Sequence, residues 1–254
     1  MPQPSLVTHD LTVRFGGHIA VDAVSCAFTP GELTAIVGPN GAGKTTYFNL
    51  ISGQIRATSG RVELMGQDIT RLPVSARTEA GLGRAFQLTN LFPRLTVLEN
   101  VRLVVQARAR RGFNLWTMAQ GHRDLIEQAE QVLERVRLTH LAGQTVAALS
   151  HGDQRKLEVA AMIALKPRVF MFDEPTAGMS VEEAPVILDL IVGIKADPDA
   201  TVLLVEHKMD VIRSLADRII VLHNGALVAD GAPAQVMASD VVQVAYLGKE
   251  LTDV

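Results

Sequence analysis

The sequence contains a single cysteine, Cys26, in 254 residues. With no second thiol there is no internal disulfide, and no cysteine cluster supports a metal site. Cys26 reads as a small buried hydrophobe, and such low cysteine use fits a reducing cytoplasm. Basic charge is also scarce: 24 Lys and Arg against 27 Asp and Glu give a formal net charge of −3. A nucleic-acid partner usually announces itself as a basic excess, so none is expected. Long apolar runs are missing as well. The longest, such as Val202–Val205 and Ile219–Leu222, are strand-length, whereas a spanning helix needs about 20 apolar residues. The opening Met-Pro-Gln-Pro-Ser shows no basic region followed by an apolar stretch, so no signal peptide is read there. The chain is therefore expected to be soluble by itself, with any membrane role coming through partners.

What is present falls into three stretches. Leu6–Met65 is rich in short β-like runs, among them Leu11–Phe15, Ile19–Phe28 and Leu33–Val37, with a turn at Pro30-Gly31. From Lys44 to Ser52 the pattern turns helical. Leu88–Ala164 is helix-dominated, with helical spacing over Thr96–Ala107 and Leu125–Leu138. In the latter, Leu125, Ala129, Val132, Leu133 and Val136 share one face, with Glu127, Glu130, Glu134 and Arg137 on the others. The basic cluster Arg108–Arg111 reads as a solvated helix end or loop. From Val169 onward, strands at Val169–Phe172, Thr201–Val205 and Arg218–Leu222 alternate with helices at Val181–Ile194 and Met209–Leu215. Strands that are apolar throughout, separated by helices, predict a parallel sheet covered on both sides.

The strand Leu33–Val37 runs straight into Gly38-Pro39-Asn40-Gly41-Ala42-Gly43-Lys44-Thr45-Thr46. Glycine, four residues, glycine, lysine and threonine is the pattern of a phosphate-binding loop. Glycines let the backbone curl until successive N–H groups face phosphate oxygens, and the start of the following helix favours an anion. Lys44 then reaches the β- and γ-phosphates, and the Thr45 hydroxyl is placed to ligate Mg²⁺. At ordinary residue frequencies the pattern arises in roughly one random chain of this length per hundred. A strand before it and a helix after it make chance rarer still.

A second signal is independent of the first. Val169-Phe170-Met171-Phe172-Asp173-Glu174 is an apolar strand ending in two carboxylates. Ligand chemistry in parallel sheets sits at the carboxyl ends of strands. Asp173 is placed to hold Mg²⁺ through water, and Glu174 to orient and polarise an attacking water. Together the two signals predict an enzyme that binds a Mg²⁺–nucleotide, a class that admits kinases, GTPases, helicases and transport ATPases.

A third element narrows the class. Leu149-Ser150-His151-Gly152-Asp153-Gln154 precedes a helical pattern running to Leu165, shortly before the Asp173 strand. In this order the chain resembles, over essentially its whole length, the ATP-binding cassette family, the motor subunits of ABC transporters. The resemblance implies an α/β fold: a P-loop NTPase (RecA-like) core with an antiparallel β subdomain, residues 1–86 and 165–254, and a helical signature subdomain, residues 87–164. It implies that Phe15 stacks on adenine, although tyrosine is more usual there, and that Gln87 senses Mg²⁺ and the γ-phosphate. Ser150 and Gly152 would touch the γ-phosphate of ATP held by the opposite subunit, and His207 would contact the γ-phosphate and Glu174. The implied partners are a second cassette, identical or paralogous, two transmembrane permease subunits and, indirectly, a solute-binding protein, at the cytoplasmic face of the inner membrane.

The chain departs from the usual pattern at His151, where glycine is common, at Asp153, where glutamine is, and at Ser180, where an aspartate that couples the two ATP sites is. Phe15-Gly16-Gly17, Gly83–Gln87, Leu91-Phe92-Pro93, Ala177-Gly178, the long stretch Ala107–Arg123 and Tyr246-Leu247-Gly248 resemble the branch that imports branched-chain amino acids, with urea and short amides among the solutes of close relatives. The rival readings are the motor of a lipid or lipopolysaccharide exporter, a soluble ABC ATPase without a permease, and an unrelated nucleotide kinase or GTPase. The last leaves Leu149–Gln154 unexplained.

Overall fold

A computed structural model describes residues 3–85, 91–109, 121–239 and 242. The chain divides into two compact units. The first comprises Met1–Arg84, Arg168–Glu174 and Lys195–Val254; the second comprises Ala85–Pro167 and Pro175–Ile194. Residues 175–194 thus group with the helical stretch that precedes them.

The first unit holds two sheets. β1 (Leu6–Phe15), β2 (His18–Phe28), β4 (Ser59–Leu64) and β5 (Gln67–Asp68) form an antiparallel sheet in the order β2-β1-β4-β5. The second sheet has the order β10-β9-β3-β8-β7-β6. Its strands are β3 (Leu33–Val37), β6 (Leu82–Ala85), β7 (Val169–Asp173), β8 (Thr201–Val205), β9 (Arg218–His223) and β10 (Ala226–Gly231). β3 pairs in parallel with β8 and β9, and β7 with β8, while β10 returns antiparallel to β9. Every residue of β3, β7 and β8 is buried, which is why these segments are apolar throughout.

Alternation along these strands feeds two cores. Ile36, Ile220 and Leu222 join Tyr47, Phe48, Leu50 and Ile51 of helix α1 (Lys44–Ser52) and Leu6, Val24, Phe28 and Leu64 of the antiparallel sheet. Ala35, Val37, Ile219 and Val221 point the other way, toward Ile212 of α7 (Met209–Leu215) and Val236 of α8 (Pro233–Met237). α1 is thereby buried between two sheets. Its carboxyl end is held by Arg77 of α2 (Val74–Glu79), a buried guanidinium. Arg77 donates to the carbonyls of Leu50 (2.8 Å), Ile51 (2.6 Å), Thr70 (2.7 Å) and Leu72 (3.0 Å). A cation at this end also complements the helix dipole.

The second unit is helical. α3 (Val97–Arg108), α4 (Gly121–Arg135) and α5 (His151–Leu165) pack on one another. Val97, Val101 and Val105 of α3 and Leu125, Ala129, Val132 and Leu133 of α4 are buried, as helical spacing requires. Thr96 caps α3, its hydroxyl accepting from Glu99 N at 3.1 Å. The last helix of the unit, α6 (Ala184–Lys195), starts three residues later than the sequence pattern suggests. Pro185 gives the reason. In a helix begun at Val181 its ring would collide with the Val181 carbonyl, whereas in the first turn it is tolerated.

Candidate functional site

The site begins where β3 ends. Residues 38–43 form the connection to α1, and Gly43, the residue capping α1, has φ +96°. A side chain there would be strained, and its Cβ would come within 2.4 Å of the Ala20 carbonyl oxygen. No side chain caps α1, so N–H groups of its first turn are left for another acceptor. Lys44 is buried and donates through Nζ to the carbonyls of Gly38 at 2.7 Å and Pro39 at 3.0 Å. Burial pulls its ammonium pKa below the ordinary value, opposed by the charges of Glu174 and Asp173.

An open pocket of about 380 Å³ lies over this loop. It is lined by Asn40–Thr46 together with Phe15, His18, Ala20, Glu174 and His207. Phe15 is 50% exposed at the lip. The structure thus brings ten positions of the sequence reading to one cavity: seven residues of the loop, the aromatic, and the two strand-end residues.

Glu174 follows β7 with φ +52°, an uncommon conformation for a side chain of this type. Its backbone N–H is tied to the Val205 carbonyl at 2.9 Å. Its Oε1 lies 2.7 Å from Nε2 of His207, which follows β8. Both side chains remain open to solvent.

Asp173, one residue earlier, is buried and receives a bond from Arg84 Nη2 to Oδ2 at 2.7 Å. Burial pushes its carboxyl above the ordinary range, opposed by the Arg84 charge. Among the described residues no group of three or more His, Cys, Asp or Glu is placed to hold a metal. Thr45 and Asp173 instead offer two hard oxygen donors at the same edge of the parallel sheet. That set fits Mg²⁺, which keeps water ligands and takes phosphate oxygens along with one or two protein oxygens.

Ser150 and Gly152 belong to the second unit. Ser150 caps α5: its Oγ accepts from Asp153 N at 3.1 Å and donates to Asp153 Oδ2 at 2.8 Å. Lys156 Nζ donates to the other carboxylate oxygen at 2.9 Å. Burial raises the Asp153 pKa, but the bonds from Lys156 and Ser150 outweigh it and leave the carboxyl below its usual value. Gly152 stands where a Cβ would meet Glu183 Oε1 at 2.3 Å. Gln87 and Tyr246-Leu247-Gly248 lie outside the described residues, as do parts of Gly83–Gln87 and Ala107–Arg123.

Three contributors escaped the sequence reading. His18 is the cross-strand partner of Phe15 across the Gly16-Gly17 turn, and the pairing could have been found from the two-residue hairpin spacing. Ala20 contributes its backbone. Arg84 carries no sequence signal linking it to Asp173.

The family model for ABC transporters matches residues 21–177. The high-affinity branched-chain amino acid transport ATP-binding protein BraF of Pseudomonas aeruginosa is 37% identical over 255 residues, covering 98% of this chain and 100% of that protein. The corresponding LivG of Escherichia coli is 34% identical over 254 residues, with the same coverage. Among solved structures, the ADP conformation of an ATP-binding cassette of an ABC transporter superposes with a TM-score of 0.81 at 28% identity, covering 97% of this chain and 100% of that one. A nucleotide-free cassette gives 0.82, again at 28% identity and with the same coverage.

Proposed function

Since the chain belongs to the ABC transporter family as an ATP-hydrolysing cassette, we propose that it is the motor subunit of an importer for branched-chain amino acids or related small solutes such as urea and amides. The solute class rests on the full-length similarity to BraF and LivG. Among the described residues no helix is long and apolar enough to cross a membrane, which fits a peripheral subunit working at the cytoplasmic face beside two permease subunits.

The observation that carries the catalytic reading is the 2.7 Å contact of Glu174 with His207 over the loop of Lys44. In this reading adenine stacks on Phe15, and the phosphates lie along the backbone of Gly38–Gly43 with Lys44 on the β- and γ-phosphates and Thr46 in the first turn. Lys44 exchanges its two carbonyl partners for phosphate oxygens. Glu174 accepts a hydrogen bond from a water and takes its proton as the water oxygen bonds to the γ-phosphorus. The bond from that phosphorus to the bridging oxygen breaks, releasing ADP and phosphate. His207 holds the Glu174 carboxylate in place and faces the γ-phosphate. Gln87 contributes to sensing that phosphate. Thr45, Asp173 and Gln87 would hold Mg²⁺, which when bound neutralises charge on the phosphate oxygens. Ser150 and Gly152, at the start of α5, complete the site of a second cassette, identical or paralogous, since a helix N-terminus with small residues suits close approach to phosphate.

Positioning and electrostatics supply most of the acceleration in such a site. The test is purification with membrane components followed by ATPase assays in reconstituted vesicles across leucine, urea and short amides, with the solute-binding protein present. Solute-stimulated turnover is expected. Purification without any membrane component would overturn the transport reading.

A further inference from the structure

Arg84, on β6 and within the Gly83–Gln87 stretch, has no role assigned above, yet it joins the phosphate-loop helix to Asp173. Through Nη2 it donates to Asp173 Oδ2 at 2.7 Å. Through Nη1 it donates to Asn49 Oδ1 at 2.8 Å and Ser52 Oγ at 2.7 Å, with a longer contact to Gln54 Oε1 at 3.4 Å. Its guanidinium carbon stands 5.5 Å from the centre of the Phe48 ring. Phe48, Asn49 and Ser52 all belong to α1, the helix that opens with Lys44 and Thr45. One planar cation therefore fastens the phosphate-loop helix to the carboxylate that ends β7.

The pair is out of solvent, with side chains 7% and 6% exposed for Arg84 and Asp173. A buried ion pair is weak evidence for stability, because apolar residues of similar volume often serve as well. What apolar residues cannot do is fix the rotation of a carboxylate. The Arg84 bond engages Oδ2, and Oδ1 is the oxygen it leaves unengaged. Carboxylates that hold a metal are commonly oriented in this way by hydrogen bonds from outside the ligand set. The rigid fork of arginine suits a site that must bond several acceptors at once.

We infer that Arg84 is a positioning residue that sets Asp173 against α1, and so against Thr45, in the spacing that a Mg²⁺–nucleotide pair needs. The inference rests on the assignment of Asp173 and Thr45 as Mg²⁺ donors.

The test separates metal from nucleotide. Affinity for ADP is measured in EDTA, and affinity for Mn²⁺ is measured by electron paramagnetic resonance on the ADP-bound protein. Arg84→Met is expected to keep metal-free ADP affinity within about threefold while weakening Mn²⁺ about 10- to 100-fold. Arg84→Lys keeps the charge but not the fork, and should fall between wild type and Arg84→Met. Thermal unfolding checks that each variant is folded, and if Arg84→Met is not, Arg84→Lys alone decides: about threefold or more loss of Mn²⁺ affinity at unchanged ADP affinity is expected. Equal losses for ADP and Mn²⁺, or no loss of Mn²⁺, would overturn the inference. Asp173→Asn distinguishes the two levels. If it weakens Mn²⁺ and the Arg84 variants do not, only the Arg84 inference fails. If Asp173→Asn leaves Mn²⁺ affinity intact, the Mg²⁺ assignment fails and takes the inference with it.

Discussion

Glu174 has a backbone conformation that side chains of its type seldom adopt, and it uses it to reach His207. Such conformations cluster at functional sites, where the surroundings hold them in place. Glu174→Gln removes the proton acceptor and keeps the shape, so ATP affinity should change little while turnover drops by about 100-fold or more. Nucleotide binding and phosphate release, measured on the same preparation, check this. Wild-type turnover would sink the assignment of Glu174. Lys44→Ala removes the cation over the loop and should weaken ATP binding itself, by about tenfold or more; equilibrium binding to the purified protein decides. Cys26 behaves differently. It is buried, and burial is the main cause that pushes its thiol pKa from 9.0 up to about 11. Because the folded value is the higher one, the associated stability is intact below about pH 9 and is lost as pH rises toward 11. At neutral pH a thiol reagent should label the native protein far more slowly than the denatured one, and comparable rates would contradict the burial.

At the scale of elements, the two ends of the phosphate-loop helix are treated differently. Its start is open backbone, and its end is tied by Arg77 to carbonyls of Leu50 and Ile51. Arg77→Met removes a donor from four carbonyls, of which Leu50 keeps the Gly53 N–H at 3.3 Å. A carbonyl left both buried and without a donor costs about 1–3 kcal/mol, and one reached by water much less. A loss of about 2–4 kcal/mol is expected from urea denaturation, and a loss under about 0.5 kcal/mol would show that solvent replaces the guanidinium. Much of this architecture was legible beforehand. The fully buried strands β3, β7 and β8 read as unbroken apolar runs, and α1, α3, α4 and α5 read from their spacing. The short strands β4, β5 and β6 and the returning strand β10 did not, since short polar or half-buried segments carry little periodicity. The two-residue turns that close some of them, Met65-Gly66 and Asn224-Gly225, were the available signal. The start of α6 was misplaced because the apolar pattern outvoted Pro185.

For the molecule as a whole, the cassette reading makes each chain the holder of two half-sites, one in each compact unit. Ser150→Arg places a long cation at the start of α5 and should leave the affinity of a single chain for ATP unchanged. In the Glu174→Gln background, ATP should drive association with the partner cassette, and Ser150→Arg should abolish it; light scattering reads both. Association that survives Ser150→Arg would remove α5 from the interface. The candidate site was legible wherever a local motif announced it, as at Gly38–Thr46 and Asp173-Glu174. It was silent where partners are brought together from afar by the sheet order, as with Arg84 and Asp173, 89 positions apart in sequence. The Cβ of any residue replacing Gly53 would lie 2.6 Å from Nε of Arg77. Gly53 also has φ +82°, so shortening residue 77 would remove the clash but not the backbone strain. The glycine is held twice over, and a lineage that loses Arg77 should still keep it.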